Sequence, residues 1–255
     1  MTTEDTIPQT NFLIDILSPK QGEVILDIGC GTGNEIKRIC NVAKVKKVHG
    51  IDISEKALLK AEKNLSKEIK QGKVELLKAG ASDKLPFPSK YFDAIFSAEL
   101  IECLPKKKQN LFLKEMHRIL KPGGRILTEH TDWDTQVWNA SDKNLERKLV
   151  HAFCDTTQGW MESSEGWMGR KLWGFFNNSK LFKNCRMEVY VLTNTKYKAP
   201  FYGYQRSLDM SVTTKNKNYK ITKKDVEKFL TDLKKRDKKG TYFYSVNRYI
   251  HIGYK

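Results

Sequence analysis

A chain of 255 residues, 39% of them hydrophobic, is long enough for one sizeable core with insertions and short for two independent cores. Its 46 Lys and Arg exceed its 30 Asp and Glu to give a net charge of +16, but the excess is local: about +14 falls on residues 171–255 and about −4 on residues 129–170. No apolar run is long enough to cross a bilayer, and five dispersed cysteines argue against a disulfide framework or a zinc site, so a soluble cytoplasmic protein without a metal is expected.

The start, Met1 to Pro8, is polar and acidic and has no signal-peptide core. Val24-Ile25-Leu26-Asp27-Ile28 reads as a strand buried on both faces, and Gly29, Gly31 and Gly33 follow at alternate positions, letting the backbone turn sharply and approach a ligand. A dinucleotide fingerprint would place its third glycine at Asn34, and a phosphate loop would need Lys then Ser or Thr where Asn34 and Glu35 stand. A cofactor without a phosphate fits better. Glu35 to Cys40 is helical in character, Lys47 to Asp52 is the second strand, and Ser54 caps a helix through Leu65. Asp52 thus stands at a strand's C-terminal end, about 20 residues past the glycine loop, where an acid can accept both ribose hydroxyls.

Val74 to Leu77 is a third strand and Tyr91 to Ser97 a fourth, with Leu85-Pro86-Phe87-Pro88 turning between them. Lys108 to Leu120 forms an amphipathic helix, ended by the turn Lys121-Pro122-Gly123-Gly124, which launches a strand from Arg125 to His130. Arg186 to Leu192 and Tyr242 to Ile252 alternate as two last strands. The order strand, helix, strand, helix, strand, strand, helix, strand predicts a doubly wound α/β sheet. The runs Lys106-Lys107-Lys108 and Lys234-Lys235-Arg236 read as solvated faces.

The register of the glycine loop around Asp27, the acid Asp52, Leu85-Pro86-Phe87-Pro88 followed by Phe92-Asp93, and the Leu120-to-Gly124 turn together resemble class I S-adenosylmethionine-dependent methyltransferases. The resemblance is to their small-molecule branch, which includes ubiquinone and menaquinone methyltransferases, and it covers about residues 10 to 130 of this chain. It implies a mostly parallel seven-stranded Rossmann-like sheet with an antiparallel last strand. It also implies that S-adenosylmethionine binds, leaving S-adenosylhomocysteine as product, on Asp27, Gly29, Cys30, Gly31, Gly33, Asp52, Ile53, Ala81, Ser82 and Ser97. Ala81 departs from the family, whose acid there binds the adenine amino group. Backbone groups of Ala81 and Ser82, or the Asp83 carboxylate, are left for that role.

One domain over residues 1–255 is expected, with an insertion of about 131–169 and a basic insertion of about 196–239 forming a substrate lid. All five tryptophans lie between positions 133 and 173, and the first insertion leaves from the ligand-binding edge of the sheet. Trp133, Asp132, Trp138 and Tyr202 are the expected substrate contacts, and His130 and Glu99 the general-base candidates. Aromatic faces beside carboxylates favour a cationic amine as the small-molecule acceptor. Two rival functions are RNA methylation along the basic C-terminal half and non-catalytic cofactor binding; oligomeric state is not legible.

Overall fold

The computed structural model describes residues 4–157 and 165–255. After a short 3-10 turn, helix α1 (Ile7–Leu17) opens the fold with Pro8 in its first turn, where a missing N–H costs nothing. The expected first strand is β1 (Val24–Ile28), every residue of it buried. It is followed by α2 (Asn34–Val42), β2 (Lys47–Asp52), α3 (Glu55–Asn64), α4 (Ser66–Lys70), β3 (Val74–Lys78) and β4 (Phe92–Ala98). Ser54 caps α3 as expected, its hydroxyl accepting from the Ala57 N–H at 3.3 Å. Then come α5 (Lys106–Ile119), β5 (Leu120–Thr131), β6 (Val137–Trp138), α6 (Lys143–Cys154), α7 (Met168–Ser179) and β7 (Lys183–Asn194). The basic segment forms α8 (Tyr202–Asp209) and α9 (Lys223–Lys238) before β8 (Tyr244–Tyr254) closes the chain.

The strands form one sheet in the order β3-β2-β1-β4-β5-β8, with β7 on the far side of β8. The first five run parallel, and β8 lies antiparallel to both β5 and β7. This is the doubly wound sheet expected, with eight strands where seven were anticipated. The additional one is the two-residue β6, which pairs with β8 at Ser245 and Tyr244, just past the Thr131–Arg248 end of the β5 ladder. It continues the line of β5 after a 3-10 interruption at Trp133–Thr135, so seven positions across the sheet remain. A second departure concerns Lys121-Pro122-Gly123-Gly124, expected as a turn. Phe92 pairs with Leu120 and Ala94 with Arg125, so the four residues bulge out of the β5 ladder. The chain end bridges them: Gly123 N–H donates to the Lys255 carbonyl and Lys255 N–H to the Gly124 carbonyl, both at 2.9 Å.

Two apolar layers cover the sheet. Leu26, Ile28, Ile95 and Ile126 pack with Phe112 and Met116 of α5 and with Leu172 and Phe176 of α7. Ile25, Val48 and Phe96 pack with Ile14 of α1, Ile39 of α2 and Leu58 of α3 on the other face. Each such side chain stabilises the fold by roughly 1.5–3 kcal/mol. A third core joins the two insertions: Trp138 and Phe153 meet Phe229 of α9 and Tyr244 of β8. The two insertions anticipated as forming a substrate lid share this core, and of their described residues only Trp133, Tyr202 and Arg206 line the larger cavity beside the glycine loop.

Candidate functional site

β1 ends in the glycine loop, and the loop's conformation explains its glycines. Gly29, Gly31 and Gly33 have φ of 80°, 52° and 78°, in the left-handed region that other residues rarely adopt. Gly29 and Cys30 donate N–H bonds to the Ile51 carbonyl at 2.8 and 3.0 Å, clamping the loop to β2. A Cβ on Gly33 would lie 2.5 Å from Leu65 Cδ1, whereas one on Gly31 would meet nothing within 4 Å. Gly33 thus serves helix packing and Gly31 leaves room for a ligand. Gly33→Ala is expected to lower stability by about 1–3 kcal/mol from overpacking and a strained φ, measured by urea unfolding.

Asp52, at the end of β2, accepts from the Gly31 N–H at 2.9 Å and from the Ser54 N–H at 2.8 Å. Its carboxylate therefore fixes the loop and keeps further lone pairs free to accept. Asp27 lies inside β1 with Oδ2 buried and unpartnered among the described residues. Burial, reinforced by the charges of Glu35 and Asp52, pushes its carboxyl well above the usual carboxylate range.

Two cavities flank this loop and share Gly29 and Cys103. The smaller, about 160 Å³, is walled by Asp52, Ile53, Ala81, Ser82, Asp83 and Leu100. The larger, about 400 Å³, runs from Asp27, Cys30 and Gly31 past Glu99 and Glu102 to Trp133, Tyr202 and Arg206. Helix α1 forms part of its wall through Gln9, Thr10 and Leu13. Asp5 anchors the segment ahead of α1, accepting from Asn194 Nδ2 and from the Tyr202 N–H, each at 2.8 Å.

The larger cavity is floored by a network centred on Arg248 of β8. Its guanidinium pairs with Glu129, with Glu99 Oε1 at 3.0 Å, and donates to the Tyr202 hydroxyl at 2.9 Å. Glu99 follows β4 at a left-handed φ of 52° and also accepts from the Thr131 N–H at 2.9 Å. Burial opposes its charge, but Arg248, His130 and Thr131 hold its carboxyl below the usual range. Glu102 accepts from Trp133 Nε1 at 3.1 Å and faces His130 Nδ1 at 3.9 Å. Glu99, Glu102 and His130 approach one another closely enough for metal ligands. They do not fit an ion, because the Ile101 N–H points at His130 Nε2, 3.1 Å away, and occupies the neutral ring's one lone pair.

The structure brings most of the sequence-predicted residues to these walls. Asp27, Gly29, Cys30 and Gly31 line the larger cavity together with Glu99, Trp133 and Tyr202, and Asp52, Ile53, Ala81 and Ser82 line the smaller. Five residues are placed elsewhere, among them Gly33, which lines neither cavity and packs against Leu65. Ser97 is fully buried and lines neither cavity, since it sits between Phe96 and Ala98 and points to the opposite face of β4. His130 is buried the same way on β5, where its neighbour Glu129 takes the cavity side. Asp132 is buried and forms a two-pronged pair with Arg170, whose Nη2 donates to Oδ1 at 2.6 Å. Asp132→Asn is therefore expected to cost about 1–2 kcal/mol in urea unfolding, with ligand binding unchanged. Trp138 belongs to the insertion core, 4.6 Å from the Tyr244 ring, and Trp133 already carries Arg206 at 5.6 Å from its ring centre. Trp160 lies outside the described residues.

Sequence reasoning missed α1, Glu102, Arg206 and Arg248. Pro8 ahead of Leu13, Ile14 and Leu17 was a usable sign of the helix.

A doubly wound sheet with a glycine loop and an acid at the ends of adjacent strands defines an α/β domain that binds an adenosine-type ligand at its carboxyl edge. Residues 25–124 match the family described as Methyltransferase domain. The chain is 35% identical over 142 residues to the O-methyltransferase cnsE of Penicillium expansum, covering 53% of this chain and 50% of that one. It is 34% identical over 117 residues to the ubiquinone/menaquinone biosynthesis C-methyltransferase UbiE of Escherichia fergusonii, covering 46% and 45%. The chain thus spans about half the length of the curated relatives it matches. A Bacillus halodurans protein described as a candidate methyltransferase superposes with a TM-score of 0.64 at 16% identity, over 97% of this chain and 99% of that one, which is a likeness of fold. Over residues 25–124 the chain is therefore similar to methyltransferase domains, and over nearly its whole length it shares the fold of the Bacillus halodurans protein. Among the described residues no helix is long and apolar enough to cross a membrane.

Proposed function

We propose that this protein transfers a methyl group from S-adenosylmethionine to a small molecule, and that the acceptor is an amine. The observation that carries the reading is the pair of cavities meeting at Gly29 and Cys103, one shaped around Asp52 and the Ala79–Asp83 loop, the other acidic and aromatic. Asp52 would accept the ribose hydroxyls, Asp27 and the loop backbone would face the amino acid end, and Ala81, Ser82 and Asp83 would wall the adenine. The orphaned Asp27 Oδ2 and the open space above Gly31 fit such a ligand. When bound, S-adenosylmethionine supplies a methyl carbon activated by sulfonium. The protein's contribution is to align the acceptor's lone pair and exclude water, which the walls of α1 and α8 favour.

Amine recognition is supported by the acids on the larger cavity, Asp27, Glu35, Glu99, Glu102 and Glu129, against two arginines. The basic helix α9 borders a different hollow, where Lys228 pairs with Asp142 at 2.7 Å, and this favours a small acceptor over RNA. Incubation with S-adenosylmethionine and separate panels of amines, phenols, carboxylates and RNA, read by mass spectrometry, tests this. Methylated amine is the expected product. Exclusive methylation of another class would overturn the acceptor assignment, and cofactor binding with no transfer to any panel would favour a regulatory role.

A further inference from the structure

We propose that Glu102 is a catalytic residue that receives the proton released by the acceptor's nitrogen during methyl transfer, with Trp133 as a positioning residue behind it. The inference rests on the methyltransferase reading above and adds to it the group that handles the proton. Glu102 is 2% exposed yet lines the larger cavity, one residue before Cys103, which belongs to both cavities. It therefore stands where the donor and acceptor spaces meet.

Of the other acids of this cavity, Asp27 and Glu35 belong to the glycine-loop end, and Glu99 and Glu129 are committed. Glu129 and Glu99 are both paired with Arg248, and Glu99 Oε1 is further occupied by Thr131. Glu102 has no Lys or Arg paired with it among the described residues; its partners are Trp133 Nε1 at 3.1 Å and the His130 ring at 3.9 Å. Because the Ile101 N–H occupies His130 Nε2, the ring proton sits on Nδ1 and faces Glu102. His130, one of the two base candidates expected from sequence with Glu99, stands behind Glu102 at a distance too long for a hydrogen bond. Burial and the neighbouring charge of Glu99 raise the Glu102 carboxyl to about 7, against the opposing pull of His130. The charged groups around it are Glu99 after β4, His130 and Glu129 on β5, Arg248 on β8 and Arg206 on α8.

In the step, the nitrogen lone pair forms the bond to the methyl carbon and the carbon–sulfur bond breaks with its electron pair left on sulfur. One N–H proton passes to the Glu102 carboxylate. Sulfonium and carboxylate thereby become neutral thioether and neutral acid, and the proton leaves later through the cavity.

Sinefungin tests this without knowledge of the acceptor, because it carries a primary ammonium where the sulfonium methyl would be. Calorimetry of the full chain with sinefungin and with S-adenosylhomocysteine, between pH 6 and 8, is the experiment. The wild type should prefer sinefungin by on the order of tenfold at pH 8, through a charge-assisted hydrogen bond, and the preference should fade below pH 7 as Glu102 takes its own proton. Glu102→Gln should bind S-adenosylhomocysteine as the wild type does and lose the preference at every pH; Glu102→Asp should restore part of it. A preference that survives in Glu102→Gln, or a wild type with none or with one independent of pH, would overturn the assignment. Unchanged S-adenosylhomocysteine binding by Glu102→Gln shows that the variant is folded, and its lost preference separates Glu102 from Asp27, whose raised carboxyl lines the same cavity. Failure of the wild type to bind either ligand would instead overturn the methyltransferase reading itself.

Discussion

Arg248→Ala is expected to lower stability by about 3–5 kcal/mol at neutral pH, the scale for removing one partner of a buried ion pair. The loss arises because Glu129, fully buried, and Glu99 both face the guanidinium, and Tyr202 would lose its 2.9 Å donor. The effect should depend on pH in a stated direction. Glu99 is held below the usual carboxylate range, so in the wild type its contribution is present above the unfolded carboxylate pKa and is lost as pH falls through its lowered folded value. In the variant that contribution is gone and both acids gain by protonation, so the gap between the two proteins should narrow toward pH 5. Urea unfolding of both proteins across that range checks it; a pH-independent gap below 1 kcal/mol, on the scale of a surface pair, would remove Arg248 from the centre of the network.

Asp52→Ala should weaken S-adenosylhomocysteine binding by about 2–3 kcal/mol, or roughly 30- to 150-fold in Kd. Two effects act together. The variant loses the acceptors for the ribose hydroxyls, and it releases the Gly31 and Ser54 N–H groups that the carboxylate now holds at 2.9 and 2.8 Å. Asp52→Asn separates them, since the amide oxygen keeps one acceptor, and should fall between. Unchanged affinity in Asp52→Ala would take this residue out of the site.

What was legible in the sequence follows from the range of the interactions involved. β1, β2 and the Ser54 cap are local matters of apolar runs and a single hydroxyl, and they stand where the residues put them. The glycine loop and Asp52 are also near one another in the chain, so spacing alone pointed to the juxtaposition that the Gly31–Asp52 bond shows. Glu102 and Arg248 were not visible in the same way. Arg248 reaches Glu99 and Glu129 only because β8 inserts antiparallel beside β5, a pairing between distant segments. Glu102 acquires its character from burial against Trp133 and His130, which no local pattern records. The exchange of His130 for Glu129, and the burial of Ser97, have a simpler cause. Alternate residues of a strand face opposite sides, so one of each adjacent pair had to face the cavity, but the choice depends on how the sheet is covered. Asp132 followed the same logic, its acidity serving Arg170 of α7 in place of a ligand.

Titration calorimetry of the wild-type chain with S-adenosylhomocysteine tests the central claim most directly, with a thermal unfolding scan as its partner. Saturable binding at one site per chain is expected and, at about 100 times Kd, a stabilisation of about 2.7 kcal/mol that raises Tm. Absence of both heat and thermal shift at millimolar ligand would contradict it.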